Sequence, residues 1–261
     1  MNFLKSGIFN RNGPGEAEPA AASGGVLAVW GSPGSGKTVT AVKLAKALAE
    51  QKRNVLLLLC DATAPMLPCV CPPAELEGEH SLGSIFAAAH VSESLVRNNC
   101  VTCHRLPFLA LLGMRKGENE YSYPPCSERQ ATELLQSLRS VAPYVIIDCG
   151  SYIANDVLSA VALMEADSVL RLGSCDLKAV SYFSSQLPLL RDARWDADRQ
   201  YKVASNVKPG QAQPDAAFAL PYSAELEQQY LEGDLLADLS LKDSRVYRKV
   251  LSKIIKEVFG V

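Results

Sequence analysis

Residues 26–38 read Val26-Leu27-Ala28-Val29-Trp30-Gly31-Ser32-Pro33-Gly34-Ser35-Gly36-Lys37-Thr38, and this stretch decides the fold. Its first five residues form an unbroken apolar run, as expected of a buried strand in a parallel sheet. The next eight fit G-x-x-x-x-G-K-[ST], and an amphipathic, helix-like run follows to about Glu50. A glycine-rich loop between strand and helix lets successive backbone N–H groups and the helix N-terminus face phosphate groups. In that geometry Lys37 neutralises β/γ-phosphate charge and Thr38 ligates Mg²⁺. The nucleotide set read from this region is Gly31, Ser32, Pro33, Gly34, Ser35, Gly36, Lys37, Thr38 and Thr40, with Lys37 also catalytic.

Outward from the loop, apolar runs alternate with amphipathic ones. Strands are expected at Val55 to Cys60, Phe108 to Leu112, Tyr144 to Asp148, Ser168 to Leu172, Tyr201 to Ser205 and Phe218 to Leu220, with helices between most of them. Such alternation implies an α/β domain of three layers, a mostly parallel central sheet flanked by helices. Ser127 and Gln130 have the spacing of a capping box opening the helix before Tyr144. The folded domain is expected over residues 25–261. Residues 1–24 hold a short apolar start (Phe3, Leu4, Ile8, Phe9) and then an aperiodic Gly/Pro/Ala/Glu stretch, which reads as a flexible leader.

Phosphoryl transfer needs an acid near the metal and a group that orients the attacking water. Asp148 closes the run Tyr144-Val145-Ile146-Ile147 and so lies at the carboxyl edge of a strand, where ligands bind in open α/β sheets. It takes the metal-side role with Thr38. Asp61 closes the strand after the first helix in the same manner, and capping a turn is the competing role for both acids. Cys149 follows Asp148, where AAA-type or helicase chemistry places a glutamate.

The bulk numbers fit this reading. The chain has 261 residues, 48% of them hydrophobic, enough for one large domain. A formal charge of -2 gives no global positive field, so no specific nucleic-acid partner is expected. Eight cysteines without a secretory signal read as reduced thiols of a cytoplasmic protein. No apolar run approaches the roughly 20 residues that span a bilayer. His80, His90 and His104 are scattered, and none neighbours a nucleophile in a hydrolase pattern.

Taken in order, GSPGSGKT, RNVLLLLCDAT, YVIIDCGSYIANDVLSAVALMEADSVL, VASNV and ALPYSAELEQQYLEGD resemble the MinD/ParA branch of P-loop ATPases over about residues 25 to 258. The resemblance implies ATP and Mg²⁺ as cofactors. It aligns Asp61 with the family's water-positioning aspartate, Asp148 with its Walker B acid, Asn206 with its adenine-recognising asparagine and Pro221 with the proline bordering the base. It further implies a homodimer controlled by ATP, protein partners, and peripheral contact with the inner face of the membrane. Three departures stand out. Ser32 occupies the position of the signature lysine that reaches a partner's phosphates, and Leu59 replaces the first aspartate of the family's second-strand motif. The segment from Asn206 to Phe218 is short and carries Pro209, Gly210 and Pro214 instead of a helix. Among relatives the degenerate loop combined with an extra N-terminal segment is similar to the CpaE/TadZ group, which implies an ATP-hydrolysing switch in pilus or secretion assembly; the alternative is a nucleotide-holding scaffold with little turnover.

Two further features compete with blander readings. Cys69, Cys71, Cys100 and Cys103, with His104, supply enough thiolates for zinc, but the C-x-C spacing is unusual and small buried cysteines are the preferred reading. Residues 244–261 place Val246, Val250, Leu251, Ile254, Ile255, Val258 and Phe259 on one face of a basic amphipathic helix that suits a membrane surface. A final helix packed on the sheet is preferred.

Overall fold

The computed structural model describes residues 24–71, 80–191, 193–211, 215–242 and 244–261. Nearly all of the expected leader, with Phe3, Leu4, Ile8 and Phe9, lies outside them, as does Pro214. In chain order the described elements are β1 (Gly25–Gly31), α1 (Lys37–Glu50), β2 (Val55–Leu59), α2 (Leu67–Val70), α3 (Leu82–Phe86), α4 (Glu93–Asn99), β3 (Val101–Thr102), β4 (Leu109–Leu112), α5 (Glu128–Val141), β5 (Tyr144–Asp148), α6 (Val157–Glu165), β6 (Ser168–Ser174), α7 (Leu177–Leu190), β7 (Gln200–Val207), β8 (Phe218–Pro221), α8 (Ala224–Glu232) and α9 (Ser244–Phe259). Two short 3-10 turns, Ala193–Trp195 and Ala197–Arg199, join α7 to β7.

The strands make one sheet in the order β3-β4-β2-β5-β1-β6-β7-β8, parallel throughout except for β3 against β4. Every expected strand is present, to within a few residues at its ends. β1, β2 and β5 are apolar along their length because helices cover both sheet faces and leave no solvent side for polar alternation. One apolar layer packs residues of α3 to α7 against Val26, Ala28, Trp30, Val145 and Ile147. The other packs α1, α2, α8 and α9 against Leu27, Val29, Leu57 and Ile146. The capping box of α5 forms as expected: the Ser127 side chain accepts from the Gln130 N–H and the Gln130 side chain accepts from the Ser127 N–H.

The terminal helix α9 is a docked element. Tyr247, Leu251, Ile254, Ile255 and Phe259 are buried, whereas Val246, assigned to the same apolar face from sequence, is 56% exposed. The two-residue strand β3 falls on the cysteine segment and was not anticipated, being too short to show a period. Cys71, Cys100 and Cys103 are buried thiols and Cys69 is half-buried. Among the described residues no group of three or more His, Cys, Asp or Glu side chains could hold a metal ion. None of the described helices is long and apolar enough to cross a membrane.

β1 lies between β5 and β6, and the chain leaves it first toward β2 and later returns on the β6 side. Such a reversal opens a crevice at the carboxyl ends of the strands.

Candidate functional site

That crevice holds a cleft of about 610 Å³ lined by the loop Pro33 to Thr38, by Asp61 and Ser151, and on its far side by Asn206, Pro221, Tyr222 and α8. Register brings the parts together. β1 pairs with β5 so that Val29 faces Asp148, and the Cys149 N–H donates to the Val29 carbonyl at 3.0 Å. The last residue of β5 therefore stands beside the start of the phosphate loop. Gly34 and Gly36 have φ of 79° and 76°, left-handed values that favour glycine and let the loop curl over the end of β1. Gly36 is the N-cap of α1 and makes no side-chain cap bond, so the first N–H groups of this 14-residue helix face the cleft unclaimed by a capping side chain.

The Thr38 hydroxyl donates to Asp148 Oδ2 at 2.6 Å. The other carboxylate oxygen, Oδ1, is buried with no hydrogen-bond partner among the described residues. Burial pushes Asp148 up to about 7, against the opposing pull of the Thr38 hydrogen bond and the Lys37 charge. A buried acid carrying one orphan oxygen next to a threonine hydroxyl is a donor set suited to a hard divalent cation. Thr38 and Asp148 fit Mg²⁺. Lys37 donates to Ser151 Oγ at 2.7 Å and lies 3.5 Å from the Ser32 carbonyl. Burial lowers its pKa, with Asp148 and Asp61 countering.

Asp61 lines the cleft and also caps a turn, its Oδ1 accepting from the Thr63 N–H at 3.0 Å and the Ala64 N–H at 2.8 Å. Of the two roles weighed for it from sequence, the turn cap is the one these bonds make. Asn206 sits at the end of β7 with φ of 55°, exposed toward the cleft, and Pro221 ends β8 beside it. Thr40 borders the cleft, but its hydroxyl is shared with the Tyr247 hydroxyl at 3.2 Å.

Two residues of the expected set do not line the cleft. Gly31 ends β1 against β6, where a Cβ would come within 1.9 Å of the Leu172 carbonyl oxygen. Ser32 is fully buried and its hydroxyl has no partner among the described residues. Their part is to carry the loop over the sheet edge.

Sequence reasoning missed Ser151, Tyr222, Leu226 and Tyr230. The signal for Ser151 was weak: it sits three residues past Asp148 in a strand-end loop. Tyr222 directly follows Pro221, and a strand end with a tyrosine next to the base-bordering proline could have been added to the wall.

A strand, a glycine loop, a lysine, and a threonine paired to a buried strand-end aspartate define a P-loop nucleotide-binding protein of the parallel α/β class. The chain belongs to the AAA domain family, whose model matches residues 30–188. Its fold is that of the MinD/ParA ATPases. A septum site-determining protein MinD from Pyrococcus horikoshii OT3, complexed with Mg-ADP, superposes with a TM-score of 0.67 at 17% identity, over 89% of this chain and 95% of that one. A plasmid partition protein from Borrelia burgdorferi B31, bound to AMPPNP, gives 0.71 at 16% identity, over 90% and 100%. A chain of the MinC:MinD cell division protein complex of Aquifex aeolicus gives 0.70 at 14% identity, over 91% and 96%. No curated protein matches the chain. The residue after Asp148 is a buried cysteine, so the glutamate of AAA-type hydrolysis is absent from that position.

Proposed function

We propose that the chain is an ATP-binding, ATP-hydrolysing switch that acts in localising or assembling a cell-envelope machine such as a pilus or secretion system. The observation that carries the nucleotide part is the Thr38–Asp148 pair with its orphan carboxylate oxygen, set under the glycine loop. In this reading the backbone from Pro33 to Gly36, with Thr38 and Thr40, holds the phosphates. Asn206 and Pro221 bound the base. Thr38 and Asp148 would hold Mg²⁺, which when bound would neutralise charge on the phosphate oxygens. Lys37 leaves Ser151 to neutralise the same oxygens. Asp61 orients the water whose oxygen attacks the γ-phosphorus as the bond to the β-phosphate oxygen breaks.

The working unit is the domain of residues 25–261, preceded by a leader, in a cytoplasmic homodimer controlled by ATP. It meets envelope partners at the inner face of the membrane. Structures with this fold include a MinD with Mg-ADP, a plasmid partition protein with AMPPNP and a MinC:MinD complex, which supports a nucleotide-driven partner cycle. A second reading, a nucleotide-holding scaffold with little turnover, draws on the buried Ser32 in the signature-lysine position.

Steady-state ATP hydrolysis with parallel size analysis, comparing wild type and Asp61→Ala, separates them. Turnover lost in Asp61→Ala together with an ATP-dependent dimer supports the switch. Tight ATP binding without turnover and with an unchanged oligomer selects the scaffold, and no ATP binding at all sinks both.

A further inference from the structure

Away from the cleft, α7 covers the sheet incompletely. Of its described side chains only Ala179 is buried, while Leu177 and Val180 are 86% and 62% exposed. Beneath its edge, a groove of about 370 Å³ runs between β6 and the helix, floored by Arg171 and Gly173 and walled by Val180, Phe183 and Ser184. Gly173 lets the Phe183 ring approach the strand, since a Cβ there would come within 2.9 Å of it. That ring in turn takes the Arg171 guanidinium at 5.6 Å from its centroid.

Register then sets a second cation beside the first. Arg171 of β6 pairs with Lys202 of β7, so the two side chains leave the same face of adjacent parallel strands, and Lys202 is exposed. Like charges placed opposite each other across strands repel. Neither forms an ion pair with a carboxylate among the described residues. Other arginines of the fold are matched, as Arg139 is by Asp167 and Arg129 by Glu133.

We infer that this groove is a docking site for an acidic, apolar segment of a partner protein, a carboxylate entering between Arg171 and Lys202 while neighbouring apolar side chains cover Leu177 and Val180. Charge complementarity selects the occupant. A half-buried guanidinium already stacked on an aromatic ring accepts a carboxylate with little further loss of side-chain freedom. A bilayer surface fits less well, because Arg171 lines the groove floor below the apolar rim, and two cations fall short of the clusters of about 4–8 that hold proteins to anionic lipid.

The test is selection of a random 16-residue peptide display library on the folded chain, counter-selected on the Arg171→Gln/Lys202→Gln double variant. The expected result is enrichment of peptides carrying Asp or Glu between large apolar residues, binding the double variant at least tenfold more weakly. Val180→Glu, which leaves both cations in place and adds a carboxylate at the rim, lowers the same binding by a similar factor. Thermal melting and ATP binding of each variant stay at wild-type values, which separates this surface from the nucleotide cleft. Enriched peptides that lack acids or bind the double variant equally overturn the proposal, as does a failure to enrich. Co-sedimentation with phosphatidylserine vesicles that depends on Arg171 also overturns it, in favour of a lipid surface.

Discussion

Ser32 and Asp148 are both buried polar residues beside the loop, with opposite consequences for chemistry. The Ser32 hydroxyl bonds to nothing described, so replacing it with hydrogen, as alanine does, removes a desolvation cost without removing a bond. Ser32→Ala is expected to change unfolding stability by less than about 1 kcal/mol in denaturant titration. Burial pushes the Asp148 pKa up. Its native pKa near 7 lies above its reference value of 3.8, so between those values the native state binds more protons than the unfolded chain. Its contribution to stability is full below about 4 and is lost as pH rises through 7. Mg²⁺ competes with that proton and therefore raises the melting midpoint more at pH 8 than at pH 6, a difference that Asp148→Asn abolishes in calorimetry. At this scale the loop and Asp148 were legible, because each closes an apolar run at a fixed motif. Ser151 was not, since its bond to Lys37 joins residues 114 positions apart and depends on the pairing of β1 with β5.

Among the elements, α9 shows how far periodicity carries. Seven apolar residues on one face marked it as amphipathic, but only packing on α1 and the sheet distinguishes a docked helix from a surface-seeking one. Leu251 and Ile254 lie in the apolar layer with Leu44 and Leu48 of α1, so that face is not available to a membrane while the domain is folded. Leu251→Ala is expected to cost about 2–5 kcal/mol, read as a shift of the denaturation midpoint with unchanged slope. α1 is tied from its other side by Lys43, whose Nζ donates to Gln229 Oε1 at 2.6 Å and to the Ala237 carbonyl at 2.8 Å. Burial brings that lysine down to about 8. A lysine inside an Ala/Leu-rich helix reads as solvated from sequence, and only the position of α8 makes it a buried strut.

For the whole molecule, the strand order places the loop of β1, the acid of β5 and the wall of β7 and β8 at one sheet edge, from segments spread across the chain. Sequence alternation gave the layers but not that order, which decides which strand ends become neighbours. A ligand that engages all these segments stabilises them together. At 100 times its dissociation constant, Mg-ATP is expected to raise stability by about 2.7 kcal/mol. Lys37→Ala removes the gain, as thermal shift against nucleotide concentration would record. The aromatic cluster behind the loop adds a property of another kind. Both tryptophans of the chain, Trp30 and Trp195, lie in it with ring centroids 6.3 Å apart. Trp30 Nε1 donates to the Tyr182 hydroxyl at 2.9 Å, that hydroxyl donates to the Ser151 carbonyl at 2.8 Å, and the Ser151 hydroxyl receives Lys37. Occupation of the cleft that draws Lys37 away disturbs this chain at its far end, so the protein's own ultraviolet emission is a built-in optical gauge of the nucleotide, read without any label.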